Sequence, residues 1–306
     1  MSGKLIWYLA AVAGTGMMAT LGAFVREVSP GSEFTIALGR FGIGLIGLLV
    51  LRAVLRKRRR EQPVRITRAL VGSGIFLPLF VVAYFKAVVS GTMANAAFLL
   101  YLGPLIASFL AAIWLGEGFN RTSGLLLGSA LLGTLFITEF RLPQNSDQAE
   151  SVIFGLLSGL FYGLFLLMNN PRLEGDTNSF AGISVQFLVA SLVMLPFVGA
   201  AGVNLTGSDL LWIAGIGVIH GFAALTLVIS ALGHLKTIEY GTIAYGEPVM
   251  AALIGGVFYH EAISLLQLIG CLLVLIAGIA RVFVSDSPAA ASGIAPQPEP
   301  GPLPES

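Results

Sequence analysis

The chain has 306 residues, of which 56% are hydrophobic and 11% charged, with a formal net charge of +1. A soluble domain carries about 25% charged residues to keep its surface wetted, so most of this surface faces lipid rather than water. The expectation is a multi-pass, all-α integral membrane protein.

Apolar windows of about 20 residues, the length that carries an α-helix across roughly 30 Å of hydrocarbon, recur ten times along the chain. They cover residues 5–25, 34–54, 69–89, 93–115, 122–139, 152–169, 180–200, 210–231, 238–258 and 264–284. The divisions between the third and fourth and between the ninth and tenth are the least marked. Lys4 precedes the first window as it would in a secretory signal, but the window is too long and too interrupted by glycine, so it is expected to be retained. At or between the second and third windows lie Arg52, Arg56, Lys57, Arg58, Arg59, Arg60, Arg65 and Arg68, eight of the 17 basic residues. Short loops rich in Lys and Arg stay on the cytoplasmic side. This loop and both termini are therefore expected in the cytoplasm, with the chain in the cell (inner or plasma) membrane. A basic run also suits nucleic acid, but between two spans it is read as topogenic, with anionic lipid a secondary contact and no nucleic-acid partner expected.

The single cysteine, Cys271, falls in the tenth window, so neither an intramolecular disulfide nor a cysteine metal site is expected. The triplets Asn120-Arg121-Thr122 and Asn204-Leu205-Thr206 fit the glycosylation pattern. The first lies on the expected cytoplasmic side and the second tight against the membrane, and both are read as chance. Residues 285–306, rich in proline and small side chains, are expected to be a disordered cytoplasmic tail.

An internal repeat organises the windows. Ala87, Tyr101, Pro104, Ala107, Glu117 and Leu131 match Ala231, Tyr245, Pro248, Ala251, Glu261 and Leu275 at a constant offset of 144 residues (248 − 104), and Asn120 meets Ser264 as a helix N-cap. Fixed spacing of two prolines and two glutamates is the informative part. The repeat divides the chain into a first half, 1–140, and a second, 151–284, each with five helices. An odd number of crossings makes the second copy enter the bilayer from the opposite side, so ten transmembrane helices in two inverted five-helix repeats are expected. Inverted repeats suit secondary transporters, because exchanging the conformations of two similar halves turns an outward-open cavity into an inward-open one. The ridge Gly155, Gly159, Gly163 and the pairs Gly124/Gly128 and Gly217/Gly221 would let helix backbones approach closely.

The stretch Tyr84-Phe85-Lys86-Ala87, the Pro104 helix, and Leu115-Gly116-Glu117 followed by a glycine-rich helix resemble the drug/metabolite transporter superfamily, particularly its EamA-type members. The resemblance covers about residues 5–284. It departs in the second half, where Tyr259-His260-Glu261 stands in place of the Leu-Gly-Glu pattern, and no transport role is carried over to that segment. The resemblance implies ten helices, cytoplasmic termini, a central cavity between the halves, and export or exchange of amino acids, related metabolites or drugs.

Charges deep in lipid are costly, so they face the bundle interior and often mark a solute or proton path. Arg40 lies about six residues, roughly 9 Å of helical rise, inside the second window, where its forked donors suit a carboxylate; a structural ion pair or snorkelling is the alternative. Lys86 lies near the outer end of the third window, where a long ammonium side chain reaches the headgroups and snorkelling is the preferred reading. Glu247 precedes Pro248 and takes the first-half position of Gly103, a one-sided feature as a site would be, against the alternative of a buried pair. His220, at similar depth, is either a proton relay or an imidazole satisfied by a backbone carbonyl. Tyr84, Tyr101, Tyr162 and Tyr245 would supply flat walls with polar tips, and Asn95 and Gln186 hydrogen bonds, if they converge on one cavity; singly, each reads as packing. The substrate-binding set is thus Arg40, Tyr84, Lys86, Asn95, Tyr101, Tyr162, Gln186, Tyr245 and Glu247, with Glu247 and His220 as proton-coupling candidates. Glu117 and Glu261, at helix ends, read as caps or hydrated interfacial groups.

An enzyme is not expected: His260-Glu261 is no HExxH motif, and there is no Cys/His cluster, P-loop or intramembrane aspartate pair. No ring of matched charges or filter segment argues for a channel. Without a nucleotide-binding motif, gradient-driven transport of a small solute is the simplest reading, with amino acids or related zwitterions first and lipophilic cations second. A membrane-embedded scaffold ranks below both. No cofactor or metal is expected, and the sequence leaves the oligomeric state open.

Overall fold

The computed structural model describes residues 2–29, 32–56, 64–90, 93–117, 121–139, 146–173, 179–201, 205–258 and 263–284, and among these the regular structure is entirely helical. That is the physical expectation in lipid, where backbone N–H and C=O groups find no water and must be satisfied within a segment. In the first half the apolar windows become α1 (Ser2–Ala19) with α2 (Leu21–Arg26), then α3 (Glu33–Arg56), α4 (Arg68–Ser90), α5 (Met93–Leu100) with α6 (Leu102–Trp114), and α7 (Arg121–Thr138). The second half gives α8 (Ser146–Met168), α9 (Phe180–Ala201), α10 (Gly207–Ile216) joined through a π-helical stretch, Gly217–Ala224, to α11 (Leu225–Leu232), then α12 (Thr237–Ala244) with α13 (Gly246–Phe258), and α14 (Leu265–Val284). Eight stretches are long and apolar enough to cross a membrane; the α12–α13 pair and α14 stand outside that set.

Four windows expected as continuous helices are interrupted, and the interruptions have local causes. At Thr20 the backbone N–H turns back to the Met17 carbonyl at 3.1 Å, and the hydroxyl donates to the same oxygen at 2.8 Å, ending α1. Pro104 and Pro248 are the third residues of α6 and α13. Neither has an N–H to bond the carbonyl four residues back, so each helix restarts just after a tyrosine, Tyr101 or Tyr245, and proline falls in the first turn where the missing donor costs nothing. The fourth interruption is the π-helical stretch, whose Gly217 and Gly221 pack tightly on α3.

The caps follow sequence chemistry. Thr206 accepts from the Asp209 N–H, while the Asp209 carboxylate accepts from the Thr206 N–H at 2.8 Å, closing a capping box at the start of α10. Ser264 and Gln267 exchange the equivalent pair before α14, at 3.0 and 3.2 Å. The Ser264 cap is as expected; Asn120, Asn204 and Glu261 lie outside the described residues, as do the loop 57–63 and the tail 285–306.

The helices of the two halves pack on one another. α4 lies against α8 and α9, α3 against α9 and the π-helical stretch, α6 against α8 and α12, α1 against α11, α12 and α13, and α7 against α14. Glycines permit the closest crossings: a Cβ on Gly221 would stand 2.9 Å from the Arg40 carbonyl carbon, and one on Gly163 2.9 Å from the Gly103 oxygen. Phe41, Phe165, Phe187 and Met194 fill the main core, and Tyr245, Leu127 and Val274 a second one between α7 and α14. Leu125, Leu211, Leu265 and Ile276 point outward, where lipid would cover them.

Candidate functional site

Glu247, in the first turn of α13, is half-buried, with Arg40 and Tyr101 of other elements around its carboxylate. A carboxylate so surrounded that keeps some accessible surface is read here as lining a cavity within the bundle. The break at Tyr245 that starts α13 puts the carboxylate beside the free N–H groups of that helix's first turn, where negative charge is favoured.

Tyrosines from four other parts of the fold converge on it. The Tyr101 hydroxyl, at the α5–α6 break, is directed at the Glu247 carboxylate. Tyr84 of α4, Tyr162 of α8 and Tyr240 of α12 lie within electrostatic reach of the same group. Tyr162 and Tyr240 face each other through their hydroxyls, with Thr15 of α1 beside Tyr240. Phe80 and Phe165 continue the wall, their rings 5.1 and 6.5 Å from that of Tyr162. A phenol hydroxyl both donates and accepts, so this lining serves either end of a zwitterion.

Arg40, from α3, is buried and within electrostatic reach of Glu247, but the two are not joined in an ion pair. Its Nη2 donates to the Met18 sulfur at 2.8 Å, and its Nε makes a long bond, 3.5 Å, to the His220 carbonyl. A thioether is a weak acceptor and a guanidinium has five N–H groups, so most of its hydrogen-bonding capacity is left for a ligand. A Cβ on Gly221 would displace the Arg40 backbone, so the π-helical stretch sets where the guanidinium stands.

His220 belongs to the Arg40 side of the site. Its Nε2 is 2.9 Å from the Thr20 oxygen. Thr20 also donates its hydroxyl to Met17, and the Ile216 backbone lies beside the imidazole, so the ring is held between Thr20 and the backbone of its own helix. The Phe24 ring covers the imidazole edge-on at 5.1 Å. No direct hydrogen bond joins His220 to Glu247; both are within electrostatic reach of Arg40.

The remaining expected residues are not brought to Glu247. Lys86 is exposed, its ammonium 5.6 Å from the Phe154 ring centroid, in keeping with the snorkelling reading. Gln186 is buried at another level, its amide donating to Asn169 at 2.9 Å. Tyr245 is fully buried, 6.2 Å from the Tyr101 ring, with its hydroxyl unpartnered in the second core. Asn95 lies on α5, but its side chain is outside the described residues. Glu117 does cap a helix, though not the one it precedes: its carboxylate accepts from the Thr237 N–H at 3.2 Å, at the start of α12, and from the Asn170 amide at 2.7 Å.

Three participants escape the sequence reading. Tyr240 stands seven residues before Glu247, a spacing that puts two helical residues on one face, and this was the available signal. Met18 and Thr15 carry no charge and sit in a helix of small apolar residues, so nothing in the sequence separates them from packing.

The chain as a whole resembles known proteins. Residues 5–139 and 150–283 each match the EamA-like transporter family. An uncharacterized transporter of Archaeoglobus fulgidus is 29% identical over 264 residues, covering 85% of this chain and 90% of that protein. The pseudopaline exporter CntI of Pseudomonas aeruginosa is 28% identical over 282 residues, covering 89% and 94% respectively. A crystal structure at 16% identity shares the fold, with a TM-score of 0.78 over 93% of this chain and 99% of that one.

Proposed function

The chain belongs to the EamA-like transporter family through both of its halves, and from that premise we propose that it is a secondary active transporter exporting or exchanging amino acids or related zwitterions by alternating access. The observation that carries this reading is the meeting of a buried guanidinium with free donors, Arg40, and a cavity-lining carboxylate, Glu247, among tyrosine hydroxyls. Opposite fixed charges unjoined to each other suit a ligand that carries both. The pseudopaline exporter among the relatives supports export of a small metabolite.

Alternating access rests on ten spans in two inverted repeats, 1–140 and 151–284, followed by a cytoplasmic tail. Several features support the repeat. α5, α6 and α7 begin 144 residues before α12, α13 and α14 (237 − 93, 246 − 102, 265 − 121), and both breaks fall on the matched tyrosines. Pro78, the irregular point of α4, matches Phe222 within the π-helical stretch. Packing partners also exchange: α8 meets α4, α5 and α6 as α1 meets α11, α12 and α13. In this scheme Glu247 holds either a proton or the substrate's cationic group, with His220 relaying through the Arg40 side.

The test is counterflow in proteoliposomes. Saturable exchange of amino acids, lost in Arg40→Ala, is expected. Transport of lipophilic cations with no amino-acid exchange would replace this reading by the second one, which the Phe80–Tyr162–Phe165 wall favours through cation–π contact. Ion current above carrier turnover would favour a channel.

A further inference from the structure

The N-terminus of α12 is held by groups that the site above does not use. Glu239, fully buried at the third position of α12, receives the Lys4 ammonium at 2.8 Å and the Lys236 N–H at 3.0 Å. Lys4 is in the first turn of α1, 235 residues away in sequence, and is about one third exposed. One turn further along α1, Trp7 stacks on His234 with ring centroids 3.6 Å apart. Glu117, from the other side, accepts from the Thr237 N–H, and the Asn170 amide donates both to Glu117 and to the Thr237 hydroxyl, each at 2.7 Å. Two carboxylates thus stand at the positive end of one short helix, and each is tied to the opposite half of the chain.

α12 is only eight residues long and ends at the Tyr245 break. Tyr240, which faces the Glu247 cavity, directly follows Glu239. The same short helix therefore carries a wall of the cavity and the buried member of the ion pair. At the 144-residue offset, Gln148 and Asn95 stand where the sequence has Lys4 and Glu239 (148 − 4, 239 − 95). This ion pair accordingly has no charged counterpart at the matched positions.

We propose that Lys4–Glu239 is an ionic latch closing the cytoplasmic end of the cavity, and that its opening releases α12 and admits solute from that side. The proposal rests on the alternating-access reading and on the cytoplasmic N-terminus. Parting the pair leaves a buried carboxylate without its cation, so the closed end is favoured until a solute or a fluctuation lifts α12.

The experiment uses Thr15→Cys as a reporter beside Tyr240, in a Cys271→Ser background, with an impermeant thiol reagent added to one face of oriented vesicles at a time. In the parent, labelling from the cytoplasmic face is expected to be slow. Lys4→Gln and Glu239→Gln should each speed it about fivefold or more, as an equilibrium shifts for a change of roughly 1 kcal/mol. The charge swap Lys4→Glu with Glu239→Lys should restore the slow rate, an outcome that general loosening of the fold would not give. Unchanged labelling in both single variants, with the folded protein verified by its melting profile, overturns the latch and leaves the transport reading standing. Faster labelling from the outer face alone upholds the latch and overturns the orientation. If the single variants label faster but the swap does not recover, a merely structural contact replaces the latch.

Discussion

At the scale of single residues, the site separates groups that fix shape from groups that exchange ligands. Glu247→Gln keeps the size of the side chain and much of its hydrogen bonding while removing titration. It is expected to abolish transport driven by a pH gradient and to leave counterflow intact; gradient-driven rates at the wild-type level, at matched protein content, would remove Glu247 from coupling. Tyr240→Phe deletes one hydroxyl that faces Tyr162. A net hydrogen bond is worth about 0.5–1.5 kcal/mol, so the half-saturation concentration should rise about two- to tenfold with little change in maximal rate. Arg40 and Glu247 were legible in the sequence because a charge inside an apolar window has few cheap places to be. Lys86 and Gln186 stand apart from Glu247, which the sequence could not foresee, because depth along a helix gives the level of a side chain and not its direction. Glu239 escaped notice at the edge of a window, where a carboxylate is ordinary; only its burial against Lys4 makes it unusual.

At the scale of elements, the apolar windows lie close to the eight stretches long and apolar enough to cross a membrane, down to α9 at Phe180–Ala201 against an expected 180–200. It did not reveal that three helix pairs are broken or that the eighth span is partly π-helical, because hydropathy is blind to where a backbone hydrogen bond is lost. Proline marked two of the breaks, and the glycine pair Gly217/Gly221 marked the π-helical stretch only as a close crossing. That crossing is testable. Gly221→Ala would place a Cβ 2.9 Å from the Arg40 carbonyl carbon, backbone that cannot swing aside, so a loss of about 1–3 kcal/mol and a lower melting temperature in detergent are expected. Gly128→Ala is the control: nothing lies within 4 Å of its Cβ, and alanine is the better helix former by up to about 1 kcal/mol. It should melt at or above the parent. Equal destabilisation by both would mean that glycine at 221 is not there for the crossing.

For the whole molecule, one distribution of charge sets which end of the cavity is which. Moving the cluster from Arg52 to Arg68 across a bilayer is strongly disfavoured, so the α3–α4 connection is expected on the cytoplasmic side. With alternating crossings, the start of α10 then falls on the opposite face, after α9 has left the membrane. Two exposed positions report on the two faces: Arg65, in the α3–α4 connection, and Gly207, at the start of α10, where a Cβ meets nothing within 4 Å. In a Cys271→Ser background, an impermeant maleimide added to intact cells should label Gly207→Cys and spare Arg65→Cys until the membrane is permeabilised. The reverse pattern would invert the molecule, turning the Lys4–Glu239 end outward and the Thr20–His220 end inward, and with it the direction assigned to transport. Labelling of both positions in intact cells would mean that an even number of crossings separates them, and the ten-span arrangement would have to be redrawn among α4 to α9, the helices that lie between the two reporters.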